Sequence, residues 1–202
     1  MMMDYIEALN RFLFLQINAG ESTPAWLIRV AVVIADDFIY LVPLLLLGMW
    51  LWGDSWRRYQ AIKACLVAML ALGANQLIGL EYTHPRPFMI GLGHTWTYHA
   101  PDSSFPSDHV TVLTSIGLTL RVGGTFRLAA AVLMLDLAIA WARVFVGVHF
   151  PLDMVGAVAV AGAVYVVTLP LWRIGGDALT NYAEQIYRKV FSRPIAYGWV
   201  RR

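Results

Sequence analysis

The chain has 202 residues, of which 59% are hydrophobic and only 14% charged. Soluble domains run at about 45–50% apolar and about 25% charged, so this chain cannot cover a water-facing surface at ordinary density. An ordinary soluble enzyme, a disordered chain and a disulfide scaffold are thereby excluded. Cys65 is the only cysteine and allows no intrachain disulfide, and a net charge of +2 gives no footing for nucleic acid. Eight Trp and nine Tyr suit two lipid–water interfaces. The composition describes an integral membrane protein.

In chain order, Ile6, Leu9, Leu13 and Ile17 recur at helical spacing, which predicts an amphipathic interfacial helix within residues 1–20. No cleavable signal peptide is expected, since Asp4 and Glu7 stand where a basic start belongs. Phe38–Trp52 reads as the first membrane helix, with Pro24–Ala35 as its half-buried partner across Asp36 and Asp37; one continuous tilted helix is the alternative. Further apolar runs cover Ala61–Leu80, Pro106–Gly123, Leu128–Val148 and Met154–Leu171, each near the roughly 20 residues needed to cross a bilayer. Residues 174–202 read as a cytoplasmic tail, with Tyr182, Ile186 and Val190 on one side and Arg188 and Lys189 as headgroup contacts. The expected fold is an all-α bundle of about five to six transmembrane helices in one domain, 1–202.

Basic residues orient it. If the loops at 54–60 and 121–127 and the tail share one side, that side holds Arg57, Arg58, Lys63, Arg121, Arg127, Arg173, Arg188, Lys189, Arg193, Arg201 and Arg202. These are eleven of the 15 Lys and Arg, so that side is expected to be cytoplasmic. The opposite face keeps Arg86 and Arg143, and all five histidines fall between His84 and His149.

Three stretches on that face carry chemistry: His84-Pro85-Arg86-Pro87-Phe88, Ser104-Phe105-Pro106-Ser107-Asp108-His109, and Arg143 through His149 to Asp153. Each lies at the outer end of a predicted helix. Pro106 suits a first helical position, so the free N–H groups beyond it and the Ser107 hydroxyl can meet a phosphate. His109 sits one turn inside, within reach of a leaving oxygen. Arg86 and Arg143 supply permanently charged forks for phosphoryl oxygens; the alternative is that they are snorkelling anchors, and Ser107 alone could be only a helix-start residue. Pro151 marks another helix start. His149 then precedes it and Asp153 occupies its first turn, where a carboxylate can fix the imidazole tautomer and leave Nε2 free to attack. The histidines lack the spacing of a zinc site, so no metal is expected.

In this order the stretches resemble the signature of the type 2 phosphatidic acid phosphatase superfamily, and Arg-Pro-Phe, Pro-Ser-Asp-His and the closing Gly198-Trp199-Val200-Arg201 look like its BcrC/YbjG-type undecaprenyl-diphosphate phosphatases. The resemblance implies His149 as nucleophile, Asp153 as its partner and His109 as general acid, with Arg86, Ser107 and Arg143 binding phosphate. It implies a metal-free, cofactor-free hydrolysis of undecaprenyl diphosphate through a phospho-histidine at the periplasmic face of the bacterial plasma membrane. Such an enzyme recycles the carrier lipid of cell-wall synthesis and confers bacitracin resistance. Two positions depart from the pattern. A Lys is common seven residues before the motif arginine, where this chain has Gly79, and Ala142 replaces a Ser. The first change leaves His84 and His99 as candidate phosphate contacts.

Rival readings are a glycerolipid phosphatase, a lipid phosphotransferase and a lipid-binding or flipping protein. His94 reads as loop surface, as do His84 and His99 outside that role. Glu81 reads as structural or as a contact to substrate. Asp136 and Asn75 read as interhelical polar contacts.

Overall fold

The computed structural model describes residues 2–202, with side chains from Asp4 onward, and these form helices and no strand. The helices are α1 (Met2–Ile17), α2 (Ala25–Asp36), α3 (Leu41–Trp52), α4 (Ser55–Glu81), α5 (Asp108–Val122), α6 (Phe126–Phe145), α7 (Pro151–Val190) and α8 (Ser192–Ala196), with 3₁₀ turns at Phe38–Tyr40 and Pro87–Ile90. Helix α5 is the axis of the bundle and packs on α4, α6 and α7; α2 lies on α6, and α3 on α4.

Small residues permit this close packing. Helix α4 buries Ala61, Ala64, Ala68 and Ala71 along one stripe, and α7 buries Ala157 and Ala161. Lipid offers no hydrophobic drive between helices, so close backbone approach and dispersion hold such a bundle together. The outward faces stay apolar, with Leu77 67%, Met134 72% and Val167 68% exposed. That pattern is the reverse of a soluble protein and matches a lipid surround.

Four stretches are long and apolar enough to cross a membrane: Ala25–Trp52, Ser55–Glu81, Phe126–Phe145 and Pro151–Val190. Helix α5, at the centre of the bundle, is shorter than these four. Helix α5 has 15 residues, about 22 Å at 1.5 Å per residue, because it starts at a loop sunk into the bundle.

Two segments differ from the expected division. Helices α2 and α3 form one long span through the Phe38–Tyr40 turn, as in the continuous alternative. Pro43 has no N–H for the Ile39 carbonyl, which favours a tightened turn there. Helix α7 continues for 40 residues to Val190 through Pro170, where a span and a separate tail helix were expected. The extension holds because its inward side finds partners: Thr180, Glu184 and Tyr187 are buried. Helix α1 leaves Tyr5, Phe12 and Leu15 exposed, and buries Phe14 against Phe150 with ring centres 5.4 Å apart. Its Asn10 side chain accepts a hydrogen bond from the Leu152 N–H at 3.0 Å, satisfying one of the free donors at the start of α7.

Candidate active site

The end of α4 with the loop that follows, the start of α5, the end of α6 and the start of α7 converge at one end of the bundle. They enclose a cavity of about 340 Å³ whose walls include Arg86, His99, His109, Arg143 and His149. Thus both predicted catalytic histidines, the candidate contact His99 and both predicted arginines line a single cavity.

His149 sits in the turn between α6 and α7 and is 2% exposed. Its Nδ1 lies 3.1 Å from Asp153 Oδ2. That oxygen also accepts from the Phe150 N–H at 2.8 Å and from the Ser104 hydroxyl. A carboxylate facing Nδ1 places the ring proton there, so Nε2 carries the lone pair. Nε2 lies 3.0 Å from Arg86 Nη1 and 3.4 Å from Arg143 Nη2. Burial first, and then the two guanidinium charges, hold the His149 pKa well below 6.5. The ring is therefore neutral and its lone pair points at two cationic forks.

Both arginines are held from behind. Arg86 donates from Nε to Asp102 at 2.8 Å, and from its two terminal nitrogens to the Val148 and Ser103 carbonyls at 2.8 and 3.2 Å. Arg143 donates from Nη1 to Asp36 at 3.3 Å and to the Ala35 carbonyl at 3.4 Å. Asp36 also accepts from the Thr97 hydroxyl at 2.5 Å. Paired, buried and aimed at a cavity, neither arginine is a snorkelling anchor.

The turn carrying His149 depends on Gly147, whose φ is +88°. Glycine adopts that conformation without penalty, and here a Cβ would also collide with the His94 carbonyl. At the start of α7, Pro151 occupies the first turn and Asp153 accepts from the Phe150 N–H, as a helix N-terminus favours for a carboxylate.

The middle stretch differs in detail from expectation. Helix α5 opens at Asp108 with Ser107 as its N-cap, so Pro106 belongs to the loop rather than to the first helical position. The Phe105 ring fills the place that a Cβ on Gly156 of α7 would occupy, which seats this loop against α7. His109 is accordingly the second residue of α5, in its first turn and not one turn inside. Ser107 is fully buried; its N–H donates to the Asp153 carbonyl at 3.3 Å, and its Oγ has no hydrogen-bond partner among the described residues. The cavity wall there is made by Pro106, Asp108 and His109.

Of the other histidines, His99 lines the cavity. His84 is bound away from it, with Nε2 3.2 Å from Glu7 of α1 and its ring against Phe150. His94 stacks near Trp96 in the loop. Glu81 is exposed at the end of α4, and Gly79, where the signature has Lys, forms bare cavity wall. Ala142 is buried in an apolar cluster with Ala35 and Val146. Asp136 accepts from Thr114 of α5 at 2.6 Å. Asn75 donates to Asp108 at 2.8 Å and to Thr111 at 3.0 Å. Both are the interhelical contacts expected of them.

Sequence reasoning missed Ser104, Asp36 and Asp102 as supports of the reacting groups. Asp36 carried a signal, since an acidic residue interrupts an apolar run. Ser104 and Asp102 carried none beyond their place beside the motif.

Comparison with known proteins agrees with this geometry. The PAP2 superfamily pattern matches residues 60–174. Over 197 residues the chain is 37% identical to YbjG of Escherichia coli (strain K12), covering 97% of this chain and 99% of YbjG. It is 30% identical over 189 residues to the undecaprenyl-diphosphatase BcrC of Bacillus subtilis (strain 168), covering 92% of this chain and 97% of BcrC. Among solved structures, Aquifex aeolicus LpxE superposes with a TM-score of 0.64 at 22% identity, covering 80% of this chain and 95% of LpxE, which is a likeness of fold. Taken with the ordered motifs and the cavity that joins them, these matches make the chain a multi-pass membrane member of the PAP2 superfamily.

Proposed function

We propose that this protein hydrolyses undecaprenyl diphosphate to undecaprenyl phosphate at the periplasmic face of the bacterial plasma membrane, through a phospho-histidine on His149. One observation carries the chemistry: the unprotonated Nε2 of His149 faces the guanidinium groups of Arg86 and Arg143 at the wall of a single cavity. The choice of lipid rests on likeness to BcrC, an undecaprenyl-diphosphatase, and to YbjG, whose name assigns it the same activity. The choice of side rests on the basic residues, eleven of 15 of which lie away from the site.

The terminal phosphoryl group takes the guanidinium hydrogens that Nε2 holds in the free site. The Nε2 lone pair then forms a bond to phosphorus, and the bond from phosphorus to the bridging oxygen breaks. The electron pair leaves with undecaprenyl phosphate, whose oxygen takes a proton from His109, an imidazolium in the complex because the bound diphosphate offsets the arginine charges. Positive charge building on the His149 ring is met at Nδ1 by Asp153. In the second step a water oxygen attacks phosphorus and loses one proton to His109, and the N–P electrons return to His149. Arg86 and Arg143 stay on the equatorial oxygens throughout, where transition-state charge spreads. Ser107, whose buried hydroxyl has no hydrogen-bond partner among the described residues, becomes the further donor to phosphate once its side chain turns toward the cavity that it does not line in the free site.

The test is phosphate release by the purified full chain from polyprenyl diphosphate and from glycerolipid phosphates, with EDTA present throughout. Wild type is expected to release phosphate from the diphosphate with water as acceptor, and in sealed right-side-out vesicles to release it outside. His149→Ala should lose about 10³-fold or more. Full turnover by His149→Ala would overturn the mechanism, and abolition by EDTA would overturn the metal-free reaction. Preference for glycerolipids would overturn the substrate.

A further inference from the structure

We propose that His99 is a specificity-determining residue that binds the second, lipid-attached phosphate, so that the site favours diphosphates over monophosphates; the proposal rests on the diphosphatase reading above. Arg86 and Arg143 both converge on His149 Nε2, so their donors surround the phosphoryl group under attack. A diphosphate brings a second anionic group one bridging oxygen further out. Among the described residues no other Lys or Arg lines the cavity, and the wall at Gly79 carries no side chain at all.

His99 is the remaining cationic-capable side chain of that cavity beside His109 and His149. It comes from the loop between Gly91 and Ser107, lines the same cavity and presents its ring edge-to-face to His149, with centres 6.1 Å apart. At that distance both rings can reach one ligand in the shared cavity. Its Nδ1 lies 3.0 Å from the Ala100 carbonyl. A carbonyl only accepts, so the ring proton sits on Nδ1. Nε2 has no protein hydrogen bond among the described residues.

The surrounding charges make this end responsive to the ligand. In the free site, burial and the charges of Arg86 and Arg143 lower the His99 pKa from 6.5, against the pull of the Ala100 carbonyl and of Asp102. A bound diphosphate carries enough negative charge to reverse that field, and the imidazolium then donates from Nε2 to a phosphate oxygen. Asp102 lies 3.6 Å from Nδ1 and 2.8 Å from Arg86 Nε. One carboxylate therefore braces the donor to each phosphate.

The measurement uses methylenediphosphonate and inorganic phosphate as competitors of phosphate release by the purified full chain, against whichever lipid phosphate the wild type hydrolyses. His99→Ala should raise the inhibition constant of methylenediphosphonate about 10- to 100-fold, the usual range for a lost charge-assisted hydrogen bond. The constant for inorganic phosphate should stay nearly unchanged. His99→Lys should restore diphosphonate affinity, which a packing role would not permit. Equal weakening of both competitors, or no weakening of either, would overturn the assignment. The parent reading fails separately, by wild-type turnover of glycerolipids without turnover of polyprenyl diphosphate, and the two competitors still judge His99 in that case.

Discussion

At the scale of single residues the site is governed by which groups stay neutral. His149 must present a lone pair, and burial with two neighbouring guanidinium charges holds its pKa well below 6.5. The sign is fixed by that direction: the nucleophile is competent above its own pKa, so the acid limb of kcat/KM that it controls falls below pH 6.5. Arg143→Gln removes one of the charges that disfavour the imidazolium. The acid limb should then move upward in pH, and turnover should fall about 10²- to 10³-fold as transition-state charge loses a donor. A pH profile of kcat/KM for both proteins checks this, and an unmoved limb would break the link between Arg143 and His149. The reacting residues were legible because each sits in a short motif whose chemistry is local: Arg86 before Pro87, His109 after Ser107, Asp153 four residues after His149. Their supports were not. Asp36 reaches Arg143 from α2, and Asp102 reaches Arg86 from a loop; nothing in the spacing of 36 and 143 marks them as a pair.

At the scale of elements, the site is a meeting of helix ends, and the turns between them set its precision. The turn from Val146 to Phe150 hangs on Gly147, whose left-handed backbone lets it pass the His94 carbonyl while Asn18, just beyond α1, donates to both the His94 and Phe145 carbonyls. Gly147→Ala keeps every reacting group yet strains the backbone, at a cost of about 1–3 kcal/mol for a non-glycine residue held in such a region. The collision with His94 must also be relieved, and the shift is passed two residues along to His149. Turnover should drop about 10- to 100-fold, as expected of a misplacement near 1 Å, with helix content by circular dichroism unchanged. Wild-type turnover in Gly147→Ala would show that the turn does not set the position of His149. Element existence was legible from apolar run length, but boundaries failed where tertiary contact overrode local signals. Asp36 and Asp37 look like a break between helices, and become a turn within one span because Asp36 finds Arg143 and Thr97. Gly175, Gly176 and the polar residues after them look like the end of a span, yet α7 continues because Glu184 and Tyr187 find Arg58.

At the scale of the molecule, the end of the bundle opposite the site is closed by the chain's own C-terminus. Arg58, counted in the sequence as one of the basic residues that mark a cytoplasmic surface, is fully buried. It donates to the Trp50 carbonyl at 2.9 Å and to the Arg201 carbonyl at 2.6 Å, lies 3.7 Å from Glu184, and stacks over Tyr187 at 4.6 Å. The strap that follows α8 is pinned at the same place. The Arg201 N–H donates to the Leu51 carbonyl, Trp52 donates to the Trp199 carbonyl, and the Tyr187 hydroxyl donates to the Arg201 carbonyl. One guanidinium thus ties α3, α4, α7 and the C-terminus together. Arg58→Ala would leave Glu184 with Arg188, at 2.9 Å, as its ionic partner among the described residues, and would take one donor each from the Trp50 and Arg201 carbonyls, the second of which keeps the Tyr187 hydroxyl. Breaking a buried pair from one side costs about 3–5 kcal/mol, and the retained Arg188 contact puts this case at the low end. The detergent-solubilised protein should melt several degrees lower. Arg58→Lys should recover only part of the loss, since an ammonium cannot reproduce a planar fork. The site lies at the other end of α6, whose 20 residues span roughly 30 Å. Below its melting transition the Arg58→Ala protein should therefore keep wild-type kcat per folded molecule. A fall in kcat with no fall in melting temperature would mean that this clamp acts on the site across the bundle rather than on the fold.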